Sequence, residues 1–171
     1  IVNSFPEAII SIDTFRSKVA NESLINGASI INDISAWEID HELFDVIVKY
    51  KCPYILMHMK GTPSSMQSNP SYENVTQEII KFLSDKLIKL HKNGVHDVII
   101  DPGFGFGKTI EHNYKVMSEL NQINLLEHPI LVGISRKSMI YKILKINSLK
   151  SINGTTALNM LALSKGAKIL R

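Results

Sequence analysis

Asp97-Val-Ile-Ile-Asp-Pro-Gly-Phe-Gly-Phe-Gly-Lys108 decides how this chain is read. Val98-Ile-Ile100 is a short β-branched run and predicts a buried strand. An acid, Asp101, closes it, followed at once by Pro102 and by Gly103, Gly105 and Gly107. Pro and Gly stop a strand, and glycine lets the backbone turn sharply and leaves space beside it. The expectation is a ligand site at a strand end, with the Asp101 carboxylate pointing into that space. A Gly-rich turn with an acidic helix cap is the plainer alternative. Two phosphate-binding patterns fail. A P-loop needs Gly-x-x-x-x-Gly-Lys-Ser/Thr, and Pro102 stands where its first Gly belongs. The dinucleotide fingerprint Gly-x-Gly-x-x-Gly does not fit the spacing either.

The same pattern recurs along the chain. Ala8-Ile-Ile-Ser-Ile12 ends at Asp13, and Ala28-Ser-Ile-Ile31 at Asn32-Asp33. Tyr54-Ile-Leu-Met57 ends at His58, Pro129-Ile-Leu-Val132 at Gly133-Ile-Ser135, and Ala167-Lys-Ile-Leu170 at Arg171. Helical patterns lie between. Asn74 to Asn93 carries one apolar face from Val75 to Leu90 and closes at Gly94. Ser17 to Asn26, Asp40 to Tyr50, Asn113 to Leu120, Met139 to Leu144 and Thr155 to Leu163 are the others. Repeated βα units with apolar strands predict a parallel sheet covered by helices. Polar residues at so many strand ends select an α/β (β/α)8 TIM barrel. An open doubly wound sheet gathers its ligand at one switch point instead. A barrel has eight strands and about 250 residues. The expectation for these 171 residues is therefore one domain that lacks the first two βα units and the C-terminal end.

Bulk properties narrow the function. The chain is 44% hydrophobic, enough for one core, and no apolar run reaches membrane-spanning length. Its +3 net charge, from 19 basic and 16 acidic residues, is scattered. That gives no argument for nucleic acid or membrane partners, neither of which is expected, and is weakly compatible with an anionic small substrate. The single cysteine, Cys52, excludes an internal disulfide and suits a reducing, cytoplasmic compartment. Beside Pro53 at a strand start, it reads as a core thiol rather than a nucleophile.

Each polar cluster has two readings. Asp13 is a second inward carboxylate or, with Thr14, a helix cap. Asn32 suits a heterocycle edge that both donates and accepts, while Asn32-Asp33 could equally form a turn or cap. Met57-His58-Met59 has too few ligands at set spacing for a metal site, and its methionines suit an adaptable apolar wall. Gly61 to Ser71 reads as a long, mobile polar loop. Gly133-Ile-Ser-Arg-Lys-Ser138 combines a helix start, two hydroxyls and two cations, an anion site or a solvated basic turn. Arg171 can clamp a phosphate bidentately.

Together these segments resemble the dihydropteroate synthase family of pterin-binding barrels. The likeness runs from Ser11-Ile-Asp-Thr14 to Ala167-Lys-Ile-Leu-Arg171. It is carried by Ile31-Asn-Asp-Ile34, Leu56-Met-His-Met-Lys-Gly61 with Met66-Gln67, Asp101 to Lys108 followed by His112-Asn-Tyr114, and Val132-Gly-Ile-Ser-Arg-Lys-Ser138. The resemblance implies one pterin-binding barrel domain over residues 1–171. It implies condensation of 7,8-dihydropterin-6-ylmethyl diphosphate with p-aminobenzoate in folate biosynthesis, with Mg²⁺ as cofactor, sulfonamides as inhibitors and a homodimer built on the outer helices. Asp13, Asn32, Met57, Met59, Asp101 and Lys137 would hold the pterin, with Asp13, Asp101 and Lys137 in catalytic roles. Pro63, Phe106, Ser135 and Ser138 would receive p-aminobenzoate, and Arg171 the diphosphate. Members also carry an early Asn-x-Thr-Pro-Asp-Ser-Phe-Ser segment with a metal-contacting Asn, and a Val-His-Asp after the last arginine. Neither occurs among these residues, so no metal ligand is assigned. Methyltetrahydrofolate-dependent methyltransferases share the acid-bearing strand ends, but Ser135-Arg-Lys-Ser138 and Arg171 favour a diphosphate. A non-catalytic pterin-binding fragment and an unrelated phosphate-binding barrel enzyme are rivals of other classes.

Overall fold

The computed structural model describes residues 1–64, 66 and 70–171. Its one sheet holds six parallel strands in chain order. They are β1 (Ser11–Asp13), β2 (Ile30–Asp33), β3 (Tyr54–Met57), β4 (Val98–Asp101), β5 (Ile130–Val132) and β6 (Ala167–Leu170). Chain order without reversal is the order of a barrel and not of a doubly wound sheet, as the strand ends predicted. Between the strands lie α1 (Ser17–Ile25), α2 (Glu42–Tyr50), α3 (Val75–Lys92), α4 (Ile110–Ser118), α5 (Ser138–Tyr141) and α6 (Ile152–Ser164). No helix among the described residues is long and apolar enough to cross a membrane.

Several boundaries differ from expectation, three of them for a clear local reason. β1 starts at Ser11 rather than Ala8, because the Ala8 N–H turns back to Phe5 O at 3.0 Å. α4 starts three residues before Asn113. Thr109 Oγ1 accepts the His112 N–H at 3.1 Å while His112 Nδ1 accepts the Thr109 N–H at 3.2 Å, a reciprocal cap. The predicted Met139 to Leu144 helix is a single turn, and the chain then reverses through Lys145 at φ 52°. Of the predicted loop from Gly61 to Ser71, residues 65 and 67–69, which include Gln67, lie outside the described residues.

Strand geometry sorts the site residues. Successive strand side chains point to opposite faces. Ile12, Ile31, Tyr54, Leu56, Val98, Ile100, Ile130 and Val132 pack into the core shared with the helices. The alternate positions, among them Asp13, Asn32, Met57 and Asp101, fall on the other face. Parallel register sets Asp13 beside Asn32 and Met57 beside Asp101. α3 shows what holds the outer layer. Asn74 caps it by accepting the Gln77 N–H at 3.1 Å. Val75, Ile79, Leu83, Leu87 and Leu90 are buried along one stripe. Each such side chain contributes roughly 1.5–3 kcal/mol, so packing rather than helix propensity fixes this element.

Candidate functional site

The C-terminal ends of the strands gather the polar residues. Asp13 ends the edge strand β1 on the same face as Asn32, with its side chain 55% exposed. It does not cap α1, because the Ser17 N–H donates to Asp40 at 2.7 Å. Instead Asp13 Oδ1 accepts from Asn32 Nδ2, and Oδ2 from the Arg171 guanidinium. The first and last strands are thereby tied at their C-terminal ends. Asp13, Phe106 and Arg171 line one cavity of about 500 Å³, together with Phe15, Arg16 and Ile34.

Asp101 lies deeper, at 7% exposure. Its Oδ1 accepts the Gly103 N–H at 2.7 Å. Burial raises its pKa above the ordinary carboxylate value, although the Gly103 N–H, Lys137, Lys108 and Arg171 all pull the other way. Lys137 sits over the Phe106 ring at 4.6 Å and donates to Phe104 O. Burial lowers its pKa, Asp101 raises it and Arg171 lowers it further. A buried carboxyl ringed by three cations can take donors from a polar ligand without carrying a full uncompensated charge.

The glycines leave less room than their spacing suggests. A Cβ on Gly103 would stand 1.9 Å from His58 O, and one on Gly107 2.2 Å from Lys60 O. Both have left-handed φ, 69° and 62°. They let the loop press against the backbone that follows β3. Gly105 is the one that faces the site, where a Cβ would meet Lys137 Cδ at 3.2 Å.

Two structural anchors escaped the sequence reading. Lys108, only 3% exposed, lies 3.0 Å from His58 Nδ1, 2.9 Å from Gly103 O and 3.1 Å from Phe106 O. It ties the Gly-rich loop to the end of β3. Asp33 is fully buried on the helix side of β2. Its carboxylate accepts from the Ser35 and Trp37 N–H groups, the Ser35 hydroxyl and the Tyr54 hydroxyl, at 2.7–2.8 Å. So the two readings of Asn32-Asp33 divide between the residues: Asn32 meets the site and Asp33 builds the turn. For Lys108 the Gly-Lys pair was a signal. For Asp33 the signal was strand parity.

Other assigned residues are dispersed. Met57 is buried beside Asp101, but Met59 lines a separate cavity of about 670 Å³ with Ser35, Ile39 and Lys86. Pro63 is exposed on the loop after β3 and is not among the residues lining the cavity that holds Phe106. Ser135 is exposed, whereas Ser138 is half-buried in the first turn of α5. α5 is four residues long, so the expected anion-binding helix start is reduced to one turn. Cys52 is buried, which pushes its thiol up to about 11, as suits a core thiol.

His58 gives a pH prediction. It is 5% exposed and packs edge-on against Phe82 of α3, with ring centroids 5.0 Å apart. Burial, Lys108 and Lys60 lower its pKa to about 2, so it is neutral and Nδ1 accepts from Lys108. Its unfolded value is about 6.5. Between those values the unfolded chain binds a proton that the folded chain refuses, so stability falls as pH falls. From pH 7 to 5 the loss from this group is about 2 kcal/mol. Urea midpoints measured over that range should fall less steeply for His58→Gln; parallel curves would remove His58 as the cause.

The geometry has counterparts in known proteins. A family model described as pterin binding enzyme matches residues 1–171. The dihydropteroate synthase of Haemophilus influenzae is 40% identical over 164 residues, covering 95% of this chain and 59% of that protein. That of Escherichia coli is 36% identical over 167 residues, covering 96% and 59%. The crystal structure of Thermus thermophilus dihydropteroate synthase in complex with 4-aminobenzoate aligns with a TM-score of 0.93 and 33% identity, covering 99% of this chain and 66% of that one. A Yersinia pestis dihydropteroate synthase with a sulfonamide drug complex gives 0.92 and 34%, covering 96% and 61%. The chain thus spans 59% of the length of both curated relatives.

Proposed function

This chain belongs to the pterin binding enzyme family, and from that membership we propose that it acts as a dihydropteroate synthase in folate biosynthesis. Its reaction condenses 7,8-dihydropterin-6-ylmethyl diphosphate with p-aminobenzoate. The observation that carries this reading is the buried Asp101, flanked by Lys137 and influenced by Arg171, at the strand ends. A pterin ring presents a 2-amino group and an N3–H on one edge, and Asp101 would accept from them. Asn32 takes the opposite edge, Lys137 the ring carbonyl and Met57 an apolar face, while Met59, in its separate cavity, is given no contact with the ring. Asp13 belongs to the same set through its bonds to Asn32 and Arg171. A ligand lacking those groups would leave buried polar atoms unpaired and be rejected.

The arylamine nitrogen bonds to the 6-methylene carbon as the carbon–oxygen bond to diphosphate breaks. The diphosphate leaves with the electron pair, and the new secondary amine sheds one proton to solvent. No covalent nucleophile is required; positioning and charge stabilisation carry the rate. Arg171 donates to the leaving diphosphate, and the nearby carboxylates favour the cationic methylene. Phe106 and Ser138 are assigned to p-aminobenzoate and the exposed Pro63 and Ser135 to its outer rim, where a sulfonamide would compete. Mg²⁺ would neutralise diphosphate oxygens. Among the described residues no group of three or more His, Cys, Asp or Glu side chains is placed to hold a metal. The residues present do not make that site, and no step here depends on it. Residues 1–171 are read as a single domain, and the lone Cys52 supports a cytoplasmic setting. Pairing of two copies through outer helices is supported by Ile152, Met160 and Leu163, exposed on α6.

Calorimetric titration of the pterin diphosphate, followed by turnover with p-aminobenzoate, tests the reading. Binding with release of diphosphate is expected. Binding without turnover would favour the non-catalytic pterin-binding alternative, and binding of sugar phosphates in preference to pterins would end the proposal.

A further inference from the structure

The mouth of the cavity holds a second guanidinium. Arg16, from the loop between β1 and α1, lines the same space of about 500 Å³ as Asp13, Phe106 and Arg171. Its place is set locally. The Thr14 hydroxyl accepts the Arg16 N–H at 3.0 Å, and the guanidinium lies 5.8 Å from the centroid of the Phe15 ring. Phe15 lines the cavity too.

The two arginines are not equivalent. Arg171 is engaged by the Asp13 carboxylate. Arg16 makes no ion pair among the described residues. One carboxylate and two guanidiniums therefore leave the mouth with one positive charge, and Arg16 supplies it. An anion that approached Arg171 alone would meet a charge already neutralised by Asp13. The start of α1 cannot serve instead, since Asp40 holds the Ser17 N–H there.

We propose that Arg16 is a second anion-binding residue of this mouth, grips a diphosphate together with Arg171, and determines preference for a phosphorylated over an unphosphorylated ring substrate. The inference rests on the function proposed above. Planar guanidinium forks bind phosphate oxygens in pairs, so two arginines around one cavity can hold both phosphoryl groups of a diphosphate.

The test uses the 171-residue chain and two probes in calorimetric titrations, inorganic diphosphate and unphosphorylated 6-hydroxymethylpterin. Arg16→Gln should weaken diphosphate about tenfold and flatten its salt dependence, since one charge-assisted contact is lost. Arg16→Lys should restore part of the affinity. Neither variant should change 6-hydroxymethylpterin binding, and matched thermal melts would confirm an intact fold for this exposed side chain. If Arg171→Gln weakens diphosphate while Arg16→Gln does not, the role of Arg16 is overturned and the functional reading stands. If the unaltered chain binds no diphosphate at millimolar concentration, the inference also fails. If diphosphate depends on Arg16 but no variant or parent binds 6-hydroxymethylpterin, the anion site survives and the pterin reading falls.

Discussion

Asp101→Asn is expected to weaken 6-hydroxymethylpterin binding about 100-fold while leaving the melting temperature unchanged or higher. The two effects have opposite signs because Asp101 is a functional group in an unfavourable place. It is 7% exposed, and burial raises its pKa despite the pull of Gly103, Lys137, Lys108 and Arg171. A neutral amide of the same shape removes the desolvation cost of the charge. Its oxygen can still accept the Gly103 N–H that now bonds Oδ1 at 2.7 Å. What the amide cannot do is accept from a donor pair on both of its ends, because one end is itself a donor. Hydrogen bonds to a charged acceptor are worth about 1.5–3 kcal/mol each, and leaving the ligand's donors facing an NH₂ adds to the loss. Calorimetric titration and a thermal melt on the same preparation decide the matter. A variant that binds pterin as well as the parent would remove Asp101 from the site. One that melts several degrees lower would recast it as a structural residue.

The same tension explains what could and could not be read from residues alone. Tyr54–Met57 is a strand with the bounds its apolar run predicts, because a strand buried on both faces needs no partner to be visible. Ala167–Leu170 also has its predicted bounds, although as an edge strand only Ala167 is buried. The barrel order followed from where polar residues interrupt those runs. Side-chain direction was harder. Asn32 and Asp33 are neighbours with equal claim to a site, and only strand parity sends one to each face. Gly103 and Gly107 read as space for a ligand, yet the space is filled by His58 O and Lys60 O, carbonyls more than forty positions away in the chain. Met59 and Pro63 follow the last residue of β3, where the period of two has ended and nothing local says which cavity they meet. Arg16 gave no pattern at all. Its relevance depends on Arg171, which lines the same cavity and is bonded there to Asp13 at the end of β1.

Lys108→Met should cost about 3–5 kcal/mol of stability, the largest loss expected from a single side chain in this loop. The opposing argument is that a buried charge is itself costly and that an apolar replacement of similar volume is often neutral. Burial does draw the Lys108 ammonium down to about 7, with Asp101 raising it and Lys137 lowering it. Replacement is neutral only when the partners are replaced as well. Here the partners include the backbone carbonyls of Gly103 and Phe106, at 2.9 and 3.1 Å, and His58 Nδ1 at 3.0 Å. Lys108→Met removes none of those acceptors. Gly103 O keeps the Phe106 N–H at 3.1 Å, but Phe106 O and His58 Nδ1 would lose this donor at about 1–3 kcal/mol apiece, which outweighs the desolvation relieved. For a domain of this size the melting temperature should fall by about 10 °C. A second signature separates the ammonium from mere volume. With a folded pKa of about 7 and an unfolded value near 10.5, the unfolded chain holds a proton that the folded chain releases between them. Stability of the parent should therefore rise by about 2 kcal/mol from pH 7 to 9, and that rise should vanish in Lys108→Met. Urea unfolding at both pH values gives the answer. A loss under about 1 kcal/mol, or an unchanged pH slope, would mean that the loop is held by its glycines against the β3 backbone and that Lys108 only fills the gap.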